Sequence, residues 1–171
     1  MKRMFDEKEF LSDFGIRSLS KFHKENPYKF AYEGGTLQVD YTPAESTGSM
    51  FGGNSNWRGP IWFPMNYLIL DSLSKFSDYY GSDYEVEFPT NSGEMMNIKD
   101  AAEGVSRRLL AMFVPNEKGV VPMYDGHEKL HEDSHLFFEY FDGDTGKGLG
   151  ANHQTGWTGL ISEIILQLHK K

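Results

Sequence analysis

Three stretches of this chain carry apolar residues at helical spacing, and the segments between them are too rich in Gly, Asn, Ser, Asp and Thr to continue the pattern. A chain built this way packs a few helices through one face each and carries long loops on them. From Pro60 to about Tyr80 the apolar set is Met65, Ile69, Leu73, Phe76 and Tyr80, with Pro64 in the first turn and Gly81 as the stop. From Asn97, a good N-cap, to Phe113 the set is Ile98, Ala101, Ala102, Val105, Leu109 and Met112, and Pro115 blocks continuation. The last stretch, about Thr155 to Leu168, offers Trp157, Leu160, Ile161, Ile164, Ile165 and Leu168 and ends in basic residues suited to a helix C-terminus. Phe30–Glu33 and Thr36–Tyr41 read as a hairpin closed by Gly34-Gly35, because a Gly pair supplies the positive φ angles of a tight turn. No repeat or linker divides the chain, so residues 1–171 are taken as one unit, mainly α, with a small β-hairpin and long loops.

Charge and composition narrow the function. Lys plus Arg total 17 and Asp plus Glu total 25, so the net charge is 17 − 25 = −8, which gives nucleic acid no general electrostatic reason to bind. The absence of cysteine excludes a disulfide framework, a thiolate metal site and thiol catalysis. No run reaches the roughly 20 apolar residues of a membrane helix, and Met1–Phe10 is charged where a signal peptide is apolar. A soluble, cytoplasmic protein with no membrane partner is expected. Aromatic residues make up 15% of the chain while all hydrophobic residues make up only 39%, which points to an aromatic-lined groove or to a core that is not all present.

Three strings carry possible chemistry. His127-Glu128-Lys129-Leu130-His131 fits the HExxH pattern, in which two His four apart on a helix ligate zinc and the Glu acts as general base. His135 lies four residues further on, but Asp125-Gly126 give a turn-like start and no apolar stripe fixes a rigid helix there, so a solvated surface segment is the simpler reading and no metal or cofactor is assigned. Phe51–Asn66 sets Trp57, Arg58, Trp62 and Asn66 in and after a Gly-rich loop that feeds a helix. Trp rings stack on apolar sugar faces and Arg and Asn match vicinal hydroxyls; the competing reading has the rings packing under the loop and Arg58 tying down carbonyls. Phe137–Trp157 places Glu139, a lone carboxylate, among aromatic residues, a setting for a general acid or base or for an ion pair with a cation such as Arg58. Asp142 and Asp144 alternate with glycine but complete no EF-hand and read as turn residues.

Through Arg3–Glu7, Glu9–Ser12, Gly15–Ser20, Pro43–Ser46, Trp57–Trp62 and the run from Phe138 to Gly159, the chain resembles glycoside hydrolase family 63, specifically the C-terminal part of the catalytic domain in a bacterial branch. The resemblance implies part of an (α/α)6 barrel, a helical toroid whose loops form a sugar site. It further implies an inverting α-glycosidase acting on oligosaccharides or small glycosides, with an acid and a base roughly 6.5–9.5 Å apart. By its place in the motif Glu139 is similar to the family's general base. Trp57, Arg58, Trp62, Asn66 and Trp157 look like residues that line or support the sugar subsite, with Tyr140, His153 and Gln154 beside them. The family's general acid, an Asp of the N-terminal half, has no counterpart here, and Glu45 reads as structural. The chain is therefore expected to be a C-terminal fragment or truncated member, weakly active or inactive alone. Its expected partners are a carbohydrate substrate and the missing part of the barrel or a second copy. A non-catalytic saccharide-binding remnant is the alternative, and a zinc peptidase the lesser one.

Overall fold

The computed structural model describes residues 1–48, 56–125 and 135–169. The HExxH string, His127 to His131, lies outside them, as does the glycine-rich start of the loop before Asn56. Helix α2, Ile98–Ala111, is the element most directly written in the sequence: the Asn97 side chain accepts a hydrogen bond from the Asp100 backbone N–H at 2.9 Å and caps it. Its predicted apolar face turns inward, with Ile98, Ala101, Val105, Leu109 and Met112 completely buried.

Against α2 pack α1, Phe63–Tyr80, and the C-terminal helix α4, Ile161–His169. The buried stripe of α1 is not the expected one. Phe63, Asn66, Leu70 and Leu73 face the core, while Met65, Phe76 and Tyr80 are exposed together with Leu68 and Tyr79. This helix carries apolar residues on two sides, so spacing alone does not say which side meets α2. The expected last helix is split: α3, Thr155–Thr158, gives way at Gly159-Leu160 to α4, where three-residue bonds from Ser162 to Gly159 and from Glu163 to Leu160 tighten the turn. Ile161 and Ile164 are buried, whereas Ile165 and Leu166 are exposed.

Among the described residues four two-stranded antiparallel sheets accompany these helices, so the fold is mixed rather than mainly helical. They pair β1 (Leu11–Ser12) with β2 (Gly15–Ile16), β3 (Tyr28–Tyr32) with β4 (Gly35–Val39), β5 (Glu85–Glu87) with β6 (Met95–Asn97), and β7 (Tyr140–Phe141) with β8 (Gly148–Leu149). The predicted hairpin exists one residue out of place: Tyr32 pairs with Gly35, so Glu33-Gly34 form the turn. The β5–β6 hairpin falls where a polar loop was expected.

One residue joins three of these segments. Ile61 exchanges both backbone hydrogen bonds with Phe141, at 2.8 and 3.0 Å, and bridges Arg17 on its other side. Ile61 and Phe141 are both fully buried in the main core. The neighbouring cross-strand pair, Trp62 and Tyr140, then falls on the opposite face.

Two side chains hold this junction to the helices and loops. Asn66 on α1 is 1% exposed; its Oδ1 accepts from the Ile16 N–H at 2.7 Å, and its Nδ2 donates to the carbonyls of Ile16 at 2.9 Å and Trp62 at 3.1 Å. Asp144, read from sequence as a turn residue, accepts from Lys21 Nζ at 3.0 Å, the Tyr41 hydroxyl at 3.0 Å and buried Arg17 at 3.3 Å. Asp142 supplies the turn itself, accepting from the backbone N–H groups of Asp144 and Thr145.

Burial raises the Asp144 pKa, but hydrogen bonds from Lys21 and Tyr41 and the charges of Lys21 and Arg17 outweigh it and hold the carboxyl below its ordinary 3.8. A lowered folded-state pKa gives stability that is fully present above the unfolded value and is lost as pH falls through the folded one. Asp144→Asn is therefore expected to destabilise at pH 7 and to converge on the wild type as acid protonates the carboxyl, in urea unfolding across pH. A deficit that persists unchanged in acid would contradict the ion pairing. In the same assay at neutral pH, Asn66→Ala should cost roughly 2–4 kcal/mol because it orphans both polar groups of Ile16, against about 1 kcal/mol for Asn97→Ala. Equal losses at the two positions would remove Asn66 from this role.

Candidate functional site

The face opposite the Ile61–Phe141 pair carries a stack of rings. Trp57 lies parallel to Trp62, with centroids 4.1 Å apart and planes inclined by 3°, and Trp62 in turn stacks on Tyr140 at 4.9 Å. Trp157 meets Trp62 edge-on at 6.4 Å. Trp62 and Tyr140 are buried and form a small cluster with Leu149, against which Ala44 and Trp157 pack. Trp57 is 43% exposed and ends the stack. Such a platform offers flat apolar surface with the Trp62 indole N–H already committed to the Asn56 carbonyl at 2.9 Å.

Glu139 sits at the edge of this platform, partly exposed. Its backbone N–H donates to the Ala151 carbonyl at 2.8 Å, its carbonyl accepts from the Trp157 indole at 3.0 Å, and its Oε2 accepts from the Ala151 N–H at 3.3 Å. The buried Tyr140 hydroxyl next to it has a pKa pushed up to about 12, by burial first and then by the negative charges of Glu45 and Glu139. Both carboxylates therefore act on one phenol, which stays a neutral hydrogen-bonding group across the physiological range.

The loop before the stack is held by its own polar side chains. Asn56, 2% exposed, donates to the carbonyls of Thr42 and Ala44 at 2.7 and 2.6 Å and accepts from the Arg58 N–H at 3.0 Å. Buried Arg58 reaches Asp40 at 3.4 Å and the Ser46 hydroxyl at 3.3 Å. The bonds of Arg58 and Asn66 thus run to the protein's own loops and backbone, the supporting half of the role expected for them. At Gly59 and Gly143 the two loops touch backbone to backbone: a Cβ on Gly143 would lie 2.3 Å from the Gly59 carbonyl oxygen.

Exposed His153 and half-buried Gln154 follow the Glu139 partner segment. His153 forms a parallel bridge with Phe137, and the Gln154 backbone starts α3 by accepting from Trp157 and Thr158. A cavity of about 440 Å³ opens beside Trp57 and Trp62, on Ile16, Met65 and Ile69. Glu139, Tyr140 and Trp157 do not line it, so the carboxylate and this apolar cavity are separate features. Among the described residues no group of three His, Asp or Glu is placed to hold a metal ion. Sequence reasoning missed Asn56, Asp144 and Leu149 as builders of the site. The Asp142 to Gly146 turn pattern was visible, but the contacts of Asp144 reach back 103 to 127 residues.

The buried and exposed ends of the stack respond differently to truncation. Trp62→Ala is expected to lower unfolding stability by roughly 3–5 kcal/mol, as for other buried large aromatic residues, and Trp57→Ala by about 1 kcal/mol or less. Comparable losses measured by urea unfolding would contradict the placement of Trp57 as the open end of the stack.

A sequence profile described as the glycosyl hydrolase family 63 C-terminal domain matches residues 46–167. An uncharacterized protein of Saccharomyces cerevisiae is 50% identical over 96% of this chain and 16% of its own length. The mannosyl-oligosaccharide glucosidase of the same yeast is 28% identical over 95% of this chain and 14% of its own. Alpha-glucosidase 2 of Arabidopsis thaliana is 33% identical over 64% of this chain and 11% of its own. The chain spans between 11% and 16% of the length of these curated relatives. With the Trp57–Trp62 string, Glu139 and Trp157 all inside the matched region, the chain belongs to glycoside hydrolase family 63.

Proposed function

We propose that this chain supplies the general base and part of the sugar platform of an inverting α-glycosidase. The observation that carries the reading is the placement of Glu139 at the rim of the Trp57–Trp62–Tyr140 stack, with its backbone fixed on both sides by Ala151 and Trp157. A sugar ring held against Trp157 has the Glu139 carboxylate near its edge, and the carboxylate takes a proton from the water that attacks the anomeric carbon. Tyr140, Arg58 and Asn66 hold that arrangement, and His153 and Gln154 border it. The named glucosidases among the relatives support a carbohydrate substrate, an oligosaccharide or a small glucoside.

The same reading places α1, α2 and α4 within an (α/α)6 barrel. Six hairpins need twelve helices, and the exposed apolar residues Met65, Leu68, Phe76 and Tyr79 on α1 and Leu166 on α4 suit contact with further hairpins. In this reading the general acid comes from polypeptide outside these 171 residues.

Hydrolysis of α-linked glucose disaccharides, measured on the full chain alone and together with polypeptide supplying the remaining hairpins, tests the proposal. Glu139→Gln is expected to lower kcat by roughly 10²–10⁴-fold, the usual contribution of a positioned acid or base, with KM little changed. Hydrolysis that is indifferent to Glu139→Gln would sink the catalytic reading. Saturable sugar binding without turnover in any combination would favour a saccharide-binding remnant instead.

A further inference from the structure

The β7–β8 ladder slips by one residue beside Glu139. Phe141 pairs with Gly148 and Tyr140 with Leu149, yet Glu139 bonds to Ala151 rather than to Gly150. Gly150 is thus an extra residue on one strand, a β-bulge, and it sits at φ +71°, the left-handed conformation in which a side chain is strained. The strand opposite departs from regular alternation at the same place. Phe138 and Phe141, three apart, both enter the main core, an odd separation that a regular pleat forbids.

The side chains at the break lie over Gly150 itself. A Cβ there would stand 2.7 Å from Glu139 Oε2 and 2.8 Å from Tyr140 Cε1. Glu139 and Tyr140, consecutive in sequence, therefore share one side of the ladder where a regular strand sends them to opposite sides. The next residue, Ala151, gives its N–H to the same Oε2.

We propose that Gly150 is a positioning residue for Glu139: its missing side chain leaves the seat that the carboxylate occupies against the Ala151 N–H. This deepens the reading of Glu139 as general base and rests on it for its catalytic meaning, while the seat itself is a property of the fold. A methyl group at position 150 displaces Oε2 even when the backbone keeps its course.

The amide proton of Ala151 reports the seat directly in proton–nitrogen spectra of the full chain over an acid-to-neutral pH series. In the wild type it should follow the titration of the Glu139 carboxyl, and Glu139→Gln should abolish that response. The Glu139→Gln control also separates it from Glu45, Tyr140 and His153, titratable groups among the described residues near the site. Gly150→Ala should lose the response while the α2 amides stay in place. Gly150→Asn, which accepts a positive φ more readily but still carries a Cβ, should lose it too. A wild-type Ala151 amide blind to Glu139, or one that titrates unchanged in either Gly150 variant, would overturn the proposal. Hydrolysis unaffected by Glu139→Gln alongside the expected Ala151 behaviour would instead overturn the base assignment and leave the seat standing.

Discussion

The pairing of Ile61 with Phe141 is the constraint on which the rest of the structure depends. It brings together residues 80 positions apart through two short backbone hydrogen bonds, and it sits in the centre of the hydrophobic core. An antiparallel pair of this kind fixes a face for every neighbour. Ile61 and Phe141 go inward, so Trp62 and Tyr140 meet on the other side and stack. A slip of one residue in either strand would turn that strand's ring inward and its core residue outward, and the Trp62–Tyr140 stack would be lost. The Asn66 clamp on Ile16 and the Asp144 cluster on Arg17, Lys21 and Tyr41 secure the segments on either side of this pair.

The division of labour in the site follows from that register. Polar side chains with little exposure, Asn56, Arg58 and Asn66, bond to backbone carbonyls, backbone N–H groups and loop side chains of the protein itself. Partly exposed groups, Trp57, Trp157 and Glu139, keep surface available for a ligand. Tyr140 stands between the two sets, buried as a ring and influenced at its hydroxyl by Glu45 and Glu139.

How much of this was legible in the sequence depended on how local the cause was. Asn97 and the face of α2 could be read because the cap and the spacing lie within one segment. The β3–β4 hairpin was found but displaced by one residue, since Glu33-Gly34 and Gly34-Gly35 are both plausible turns and only the pairing of Tyr32 with Gly35 decides. The α1 face was misread because Met65 and Phe76 compete with Phe63 and Leu70 for the same pattern. Glu139, Trp57, Trp62 and Trp157 stood out through their family motifs. Their mutual geometry did not, because it follows from the Ile61–Phe141 bridge and the bulge at Gly150, which no window of the sequence contains.

Titration of the full chain with an α-linked glucose disaccharide, followed through the three indole N–H resonances, tests most directly whether the ring stack and Glu139 form one sugar-binding surface. Trp57 and Trp157, at the open margins of the stack, should shift along one saturable curve, with Trp62 moving less and the α2 amides unmoved. Indole resonances that stay fixed, or shifts confined to the exposed Tyr79–Tyr84 cluster at the end of α1, would contradict it.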